Sequence, residues 1–199
     1  MRRIKNIGVL GSGVMGSGIA CHFANAGFEV IMLDMASEGN DRSAIAHAAL
    51  EKMIKTNPAP LYSKKFRSRI ETGNFEDDLS RLSQCDWIIE VVVERLDIKQ
   101  QVFEKVEKFR RPGTIISSNT SGIPMHLMAE GRSEDFKAHF CGTHFFNPPR
   151  YLRLLEIIPT PDTNQEVIDF LMHYGDLYLG KQTVLCKDTP AFIANRVGV

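Results

Sequence analysis

The sequence predicts an α/β protein with a doubly wound, mostly parallel β-sheet. Strand and helix patterns alternate along the 199 residues, which is typical of this class. The stretch DWIIEVVV, residues 86–93, is almost entirely apolar, as expected for a central parallel strand covered on both faces. A glycine-rich turn follows the first predicted strand, at the edge where such sheets bind ligands.

The glycine-rich turn is the most specific feature of the chain. Gly11, Gly13 and Gly16 follow the apolar run 7–10 with G-x-G-x-x-G spacing, and residues 14–26 have a helical pattern. The first glycine permits a tight turn, the second lets a pyrophosphate approach the backbone, and the third lets the helix pack close to the strand. The N-terminus of that helix offers free N–H groups to phosphates.

An acidic residue completes this pattern. The second predicted strand, over residues 29–33, ends at Asp34, about twenty residues beyond the glycines, where an acid accepts hydrogen bonds from the adenosine ribose and disfavours a 2′-phosphate. The sequence therefore predicts NAD rather than NADP. The alternative is a structural glycine turn with an incidental surface acid, and the order strand, turn, helix, strand, acid argues against it.

Composition excludes several classes of function. Lysine plus arginine and aspartate plus glutamate each number 24, so no basic field favours nucleic acid or a membrane surface. Four widely spaced cysteines form neither a C-x-x-C motif nor a cluster with histidine, which predicts reduced thiols, no metal site and a cytoplasmic location. No segment is long and apolar enough to predict a membrane span.

The remaining elements follow from periodicity and turn residues. A helix after Asp97 has Gln100 as a capping-box partner, with Ile98, Val102, Val106 and Phe109 on one face. Between residues 35 and 143 we also predict helices over 41–56, 76–82 and 124–130, and strands over 70–72, 86–93, 114–117 and 138–143.

The pattern changes after residue 143. A strand over 151–158 follows its predecessor without an intervening helix, which predicts an antiparallel hairpin on the parallel sheet. We expect Thr163 to cap a helix that Gly175 ends, and a last strand over 182–186. The predicted domains are a Rossmann-type unit over 1–187, with a helical insertion at about 38–67, and the start of a truncated helical domain over 188–199.

Two residues of the hairpin are candidates for proton transfer. His144 stands at the end of an apolar strand, and its ordinary pKa suits a general base near neutral pH. Glu156 lies in LRLLEIIP, where neither face of the strand is polar, so its carboxylate needs a partner. A histidine across the hairpin is one candidate for that partner. The alternatives are a core histidine, and an ion pair of Glu156 with Arg150 or Arg153.

Three other polar residues stand near the ends of predicted strands. Ser121, in SSNTSG, is either a hydrogen-bond donor to a ligand or a helix cap. Glu94 and Lys99 face the same edge of the predicted crevice and either contact ribose or substrate or are solvated. The basic cluster over 64–69 is more typical of a solvated surface than of a phosphate site.

Taken together, these motifs resemble a known family. GVLGSGVMGSGIA, DWIIEVVVE, SSNTS, THFFNPP, LLEIIP and CKDTPAFIANR look like the NAD-binding domain of L-3-hydroxyacyl-CoA dehydrogenase, in the same order and over essentially the whole chain. The segment AEGRSEDFKAHFCGTHFFNP is similar to the long bacterial form, in which an enoyl-CoA hydratase region follows in the same polypeptide.

The resemblance implies a role for each matching residue. His144 would be the catalytic base with Glu156 as its partner, while Ser121 and Asn195 would hydrogen-bond the substrate oxygens. The cofactor NAD would be held by Gly11, Gly13, Val14, Met15, Gly16 and Asp34 at the adenosine and pyrophosphate, and by Glu94, Lys99 and Asn147 near the nicotinamide.

The resemblance also implies a reaction and partners. The expected reaction is the NAD-dependent oxidation of an L-3-hydroxyacyl-CoA to a 3-ketoacyl-CoA in fatty acid β-oxidation. The helical insertion would help to bind the acyl-CoA substrate. The family's C-terminal helical domain would be missing from this chain, whose parent protein would be homo-oligomeric or multidomain. The alternatives are a dehydrogenase of a free hydroxy acid or sugar acid, and a non-catalytic NAD-binding module.

Overall fold

In the computed structural model, which describes residues 2–198, eight strands form one sheet. Their order is β3-β2-β1-β4-β5-β6-β7-β8, and every neighbouring pair is parallel except β6–β7. The strands are β1 Asn6–Leu10, β2 Glu29–Asp34, β3 Ile70–Asn74, β4 Trp87–Glu90, β5 Ile115–Ser118, β6 Phe140–Phe145, β7 Leu154–Pro159 and β8 Gln182–Leu185. This confirms the predicted doubly wound sheet with an antiparallel extension.

Helices cover both faces of the sheet. Within residues 2–198 they are α1 Val14–Asn25, α2 Ala44–Met53, α3 Leu96–Phe109, α4 Met125–Met128, α5 Glu134–Ala138, α6 Gln165–Tyr178 and α7 Ala194–Val197, with 3₁₀ segments at Lys64–Arg69 and Leu79–Gln84. In this part of the chain no helix has the length and apolarity needed to cross a membrane.

Two apolar clusters lie on opposite sides of the sheet. Met32 belongs to the cluster that packs on α1 and α6, whereas the next residue, Leu33, belongs to the cluster that packs on α3. Successive side chains of a strand point to opposite faces, so the sheet is buried on both sides. This explains why DWIIEVVV is apolar throughout.

The glycine turn has the geometry that its spacing predicted. Gly11 has φ of +106°, a conformation that L side chains rarely adopt. A Cβ on Gly16 would lie only 1.9 Å from the Gly11 carbonyl oxygen, so the start of α1 packs directly on the end of β1. Larger residues would therefore break the turn at either position.

The prediction for the fourth strand and the following helix needs correction. The strand is shorter than 86–93, because the Glu90 and Lys99 side chains take the N–H and the carbonyl oxygen of Val92. The buried face of α3 is formed by Lys99, Phe103 and Val106, whereas Phe109 is exposed. The capping box was wrong: Arg95 is the N-cap, and Gln100 donates to the Leu127 carbonyl oxygen instead.

Three other helix predictions were also wrong, two of them because a side chain bonds to backbone. The region predicted as a helix over 76–82 begins as a turn, in which the Asn74 side chain accepts from two backbone N–H groups, and only a short 3₁₀ segment follows. Thr163 does not cap α6, since its hydroxyl donates to the Phe140 carbonyl oxygen and Asn164 is the N-cap. Gly175 lies inside α6, where a Cβ would come within 2.5 Å of Thr183.

Candidate active site at the carboxyl edge of the sheet

A cleft of about 900 Å³ lies along the carboxyl ends of the parallel strands. It is the largest of the cavities described within residues 2–198, and it brings together nearly all of the residues that the sequence singled out. Those lining it are Gly11, Gly13, Val14, Met15, Gly16, Asp34, Glu94, Lys99, Ser121, His144, Asn147 and Asn195. Of the predicted site residues only Glu156 lies outside this lining, and it is buried behind His144.

The glycine turn fits a dinucleotide. A Cβ on Gly13 would meet nothing within 4 Å, because the residue faces the open cleft. Gly13 is also the N-cap of α1 and offers no side chain to the first turn, which contains no acidic residue. The N–H groups and the positive end of the helix dipole are therefore directed to where a pyrophosphate would sit.

Asp34 lines the cleft and is held in place by backbone N–H groups. Its Oδ2 accepts the Ser12 N–H at 2.7 Å, and its Oδ1 accepts the Met35 N–H at 2.7 Å. A carboxylate fixed in this way has capacity left to accept from ribose hydroxyls, and its charge repels a phosphate.

His144 and Glu156 are brought together by the register of the hairpin. They lie directly opposite each other across the antiparallel β6–β7 pair, so both side chains leave the same face of the sheet. His144 Nδ1 is 3.8 Å from Glu156 Oε2, and the two residues are 6% and 1% exposed. This spacing is too long for a hydrogen bond, and among residues 2–198 His144 Nδ1 has no hydrogen-bond partner.

The alternative partners of Glu156 are engaged elsewhere or absent. Arg150 donates to the carbonyl oxygens of Ala59 and Leu61, and within residues 2–198 no ion pair joins Glu156 to Arg153. Glu156 Oε1 instead accepts the Ala194 N–H at 2.9 Å, and Cys186 Sγ lies 3.6 Å from Oε2. The segment over 186–195 therefore holds the carboxylate in place.

The electrostatic environment of His144 favours a neutral imidazole. Burial lowers the pKa of His144 below its ordinary value, and the carboxylates of Glu156 and Glu94 oppose that effect. The rings of Phe146 and Phe192 pack against the imidazole with centroids 4.4 and 5.8 Å away. A base must be unprotonated before it can accept a proton, so this environment suits general-base chemistry near pH 7.

Glu94, Ser121 and Asn195 meet at one side of the cleft. Glu94 Oε1 accepts the Ser121 N–H at 3.2 Å, and Asn195 Nδ2 donates to the Ser121 carbonyl oxygen at 3.4 Å. Ser121 is exposed to the cleft and does not cap the next helix, whose N-cap is Pro124. The predicted hydrogen-bonding groups are therefore adjacent.

Lys99 also borders the cleft, but its ammonium group points into the protein interior. The side chain is 1% exposed, and Nζ lies 2.5 Å from Glu90 Oε1 and 3.3 Å from Glu94 Oε2. Sequence reasoning missed Glu90 as well as Phe192 and Ala194. The available signal for Glu90 was a single acid inside an otherwise apolar strand, whereas no sequence signal pointed to Phe192 or Ala194.

A second cleft of about 420 Å³ adjoins the first, between α2 and the loop over 147–151. The two clefts share Ser12, Gly13, Val14 and Asn147. The basic cluster over 64–69 lines neither of them. Within that cluster Arg67 pairs with Glu51 and Arg69 donates to the Ala24 carbonyl oxygen.

Comparison with known proteins identifies the family. The family model described as "3-hydroxyacyl-CoA dehydrogenase, NAD binding domain" matches residues 6–189. The chain belongs to this family. The description names NAD, which confirms the cofactor predicted from the glycine turn and Asp34.

Relatives and solved structures agree with this assignment. The chain is 50% identical to a probable 3-hydroxyacyl-CoA dehydrogenase of Bacillus subtilis and 48% identical to one of Deinococcus radiodurans. Each match covers 99% of this chain, but only 27% and 57% of those relatives, so the chain spans about a quarter to just over half of their length. A crystal structure of 3-hydroxybutyryl-CoA dehydrogenase from Escherichia coli superimposes with a TM-score of 0.82 at 30% identity, covering 98% of this chain and 41% of that one.

Proposed function

We propose that this chain is the cofactor-binding domain of an enzyme that oxidises L-3-hydroxyacyl-CoA to 3-ketoacyl-CoA in fatty acid β-oxidation. The observation that carries the proposal is the His144 imidazole at the dinucleotide cleft, with the Glu156 carboxylate 3.8 Å behind it. Relatives named as 3-hydroxyacyl-CoA dehydrogenases, and as putative trifunctional enzymes of the fatty acid oxidation complex, support it.

His144 acts as the general base for the 3-hydroxyl. Because Nδ1 faces Glu156, the other ring nitrogen, Nε2, is the one that takes the hydroxyl proton in the cleft. NAD supplies the hydride acceptor when it is bound. The imidazolium that forms is stabilised by Glu156, whose position is fixed by the Ala194 N–H. In the reverse direction the protonated His144 is the acid.

The neighbouring polar groups orient the ligands. Ser121 and Asn195 donate hydrogen bonds to the reacting oxygen as it becomes a carbonyl oxygen. Glu94 and Asn147 lie beside the nicotinamide half of the cofactor. The adenosine and pyrophosphate half is bound by the glycine turn with Asp34, namely Gly11, Gly13, Val14, Met15, Gly16 and Asp34.

The acyl-CoA substrate is assigned to the side of the helical insertion. The second cleft lies between α2 and the loop over 147–151, and it carries cationic groups from Lys52 and Arg150. Because it shares Asn147 with the cofactor cleft, a ligand there would lead toward His144. This position fits a coenzyme A moiety with its phosphates, held by the insertion over about 38–67.

The wider organisation is also a proposal. Residues 1–187 are assigned to the NAD-binding domain and residues 188–199 to the start of a helical domain, in a parent protein that is homo-oligomeric or multidomain. The four cysteines are buried free thiols, which supports a reducing cytoplasmic location.

The replacement His144→Gln in the full-length protein tests the proposed function. We expect kcat to fall about 10²–10⁴-fold, the usual range for a lost general base, while the Kd for NAD changes less than about twofold. His173→Gln, on the exposed face of α6, is the matched control. Near-normal kcat in His144→Gln would refute the assignment. Equal turnover of the CoA-free 3-hydroxy acid would instead favour a hydroxy-acid dehydrogenase.

A further inference from the structure

A buried carboxylate lies one layer behind the cleft, and the chemistry proposed above does not use it. Glu90 ends β4 and is fully buried. Its carboxylate accepts hydrogen bonds from the Val92 N–H at 3.0 Å, from the Ser118 hydroxyl, and from Lys99 Nζ at 2.5 Å. Burying a charge is costly unless it is paired and hydrogen-bonded, and Glu90 meets both conditions through neighbours that line or border the cleft.

The ammonium group of Lys99 is surrounded by protein acceptors. It donates hydrogen bonds to Glu90 Oε1 and to the Val92 carbonyl oxygen at 3.2 Å. It also forms an ion pair of 3.3 Å with Glu94 Oε2. With 1% of its side chain exposed, Lys99 is a counter-ion shared by two carboxylates.

Glu94 carries this network into the cleft. Its side chain is 45% exposed, and its Oε1 accepts from the Thr120 hydroxyl and from the Ser121 N–H. Lys99 is the only cation among residues 2–198 that pairs with Glu94, so it holds the second carboxylate oxygen in place. The order of contacts is Glu90, Lys99, Glu94 and then the backbone of Ser121.

Stability alone does not explain such a network. Replacing a buried ion pair by packed apolar side chains is often neutral or stabilising, so burial of this pair is weak evidence for a purely structural role. The network ends on Glu94 and Ser121, two groups that face the ligands. The negative charge of Glu94 also raises the pKa of His144. The other charged group that faces His144 is the Glu156 carboxylate, and the Cys186 thiol lies beside that carboxylate.

We propose that Glu90 and Lys99 are positioning residues, which fix the Glu94 carboxylate and through it the Ser121 loop against the bound cofactor and substrate. Lys99 then acts on the cleft through its ion pair with Glu94. The expected effect on turnover rests on the proposed function, whereas the contacts among Glu90, Lys99 and Glu94 do not depend on it.

The double replacement Glu90→Gln/Lys99→Met tests the proposal. The glutamine oxygen accepts the Val92 N–H and the amide nitrogen donates to the Ser118 hydroxyl oxygen. Methionine fills the volume of the lysine stem, and no buried charge is left unpaired. Burial alone would raise the pKa of Glu94, but the Thr120 hydroxyl and Lys99 hold that pKa below its ordinary value. In the double variant we therefore expect the Glu94 pKa, followed by carboxyl NMR, to rise, and Ser121 amide exchange to become faster.

In the full-length protein the same variant should lose turnover more than binding. We expect kcat to fall about tenfold, as for one lost charge-assisted hydrogen bond, with the KM for NAD changed less than about threefold. The matched control is Arg110→Met/Asp135→Asn. It removes a partly buried ion pair of 2.7 Å that lies just before β5, at the opposite edge of the sheet. The control should leave Glu94, Ser121 and kcat unchanged.

The outcomes separate clearly. A folded double variant with the parent's Glu94 titration and Ser121 exchange would overturn the proposal, as would equal changes in the control. If the double variant does not fold, Glu90→Gln alone decides. In that variant Glu94 is the only carboxylate among residues 2–198 that pairs with Lys99, so the pKa of Glu94 should fall. An unchanged pKa of Glu94 would overturn the proposal. These NMR readouts need no turnover, so failure of the proposed dehydrogenase activity would be seen separately in the assay.

Discussion

The buried carboxylate of Glu156 opposes the effect of burial on the pKa of His144. Burial by Phe146, Phe192 and the strands lowers the pKa of the imidazole, and Glu156 partly restores it. The carboxylate itself is satisfied by the Ala194 N–H and by the Cys186 thiol, whose pKa is raised to about 12 by its own burial and by Glu156. Cys186 is therefore a neutral thiol at physiological pH and donates to the carboxylate.

Glu156→Gln should move the pH profile in a defined direction. Without the carboxylate the His144 pKa falls further, because only Glu94 then opposes burial. Oxidation needs the neutral base, so its acid limb should move to lower pH. Reduction needs the protonated acid, so its rate at pH 7 should fall about tenfold for each unit lost from the pKa. Measuring kcat in both directions from pH 5 to 9 checks this.

The control for this measurement is Glu134→Gln, an exposed carboxylate at the start of α5, near the amino edge of the sheet. Its profile should match that of the parent protein. An unchanged acid limb in Glu156→Gln would show that the carboxylate does not act on His144.

The identity of the candidate pair could be predicted from the sequence, but its contact could not. A lone acid on an apolar strand predicts a buried partner, whichever residue that is. Only the register of β6 and β7 decides between His144 and the arginines, and a shift of one residue would reverse every side chain. Glu90 was a second lone acid in an apolar strand, and the same rule applied to it would have indicated a buried partner, which the structure shows to be Lys99.

Among the elements, prediction succeeded where packing or glycine geometry decides and failed where side chains bond to backbone. The buried apolar strands and the turn at Gly11 were predicted because the sequence displays both of them. The starts of α3 and α6 differ from the prediction because Gln100 and Thr163 bond to the carbonyl oxygens of Leu127 and Phe140, which lie 27 and 23 residues away. Such contacts leave no local periodicity to detect.

Helix α1 contains a pH-sensitive contact with the turn between α6 and β8. His22 is buried, its Nε2 is 3.0 Å from the Leu179 carbonyl oxygen, and burial lowers its pKa to about 4. Unfolded histidine takes up a proton below its ordinary pKa of 6.5, whereas the folded protein resists doing so until about pH 4. Stability is therefore present above pH 6.5 and is lost as the pH falls toward 4.

His22→Gln should remove this loss. We expect the parent's free energy of unfolding to fall by about 2 kcal/mol more than that of the variant between pH 7.5 and 5, measured by urea denaturation. Glutamine can keep the hydrogen bond to Leu179. His47→Gln, on the exposed side of α2, should show the parent's pH dependence. If the free energy of unfolding fell equally with pH in His22→Gln and in the parent, His22 would take up its proton as readily in the folded protein as in the unfolded chain.

In the whole molecule, the cofactor cleft is part of the folded sheet, so NAD binding and folding are thermodynamically coupled. The cleft is built from the ends of strands that are buried by both apolar clusters, so a dinucleotide that binds only the folded chain must stabilise all of it. At a free concentration of one hundred times its Kd, NAD should add about 2.7 kcal/mol to the free energy of unfolding. NADP at the same concentration should add far less, because Asp34 repels its 2′-phosphate.

Gly13→Ala provides the control that ties this stabilisation to the glycine turn. Gly13 has φ of −62° and a Cβ there meets nothing within 4 Å, so alanine fits the free protein without strain. The same methyl group would occupy the space through which a pyrophosphate approaches the backbone. The variant should unfold like its parent without ligand and gain little from NAD. Equal stabilisation by NADP would contradict the role of Asp34, and full stabilisation of Gly13→Ala by NAD would place the cofactor elsewhere.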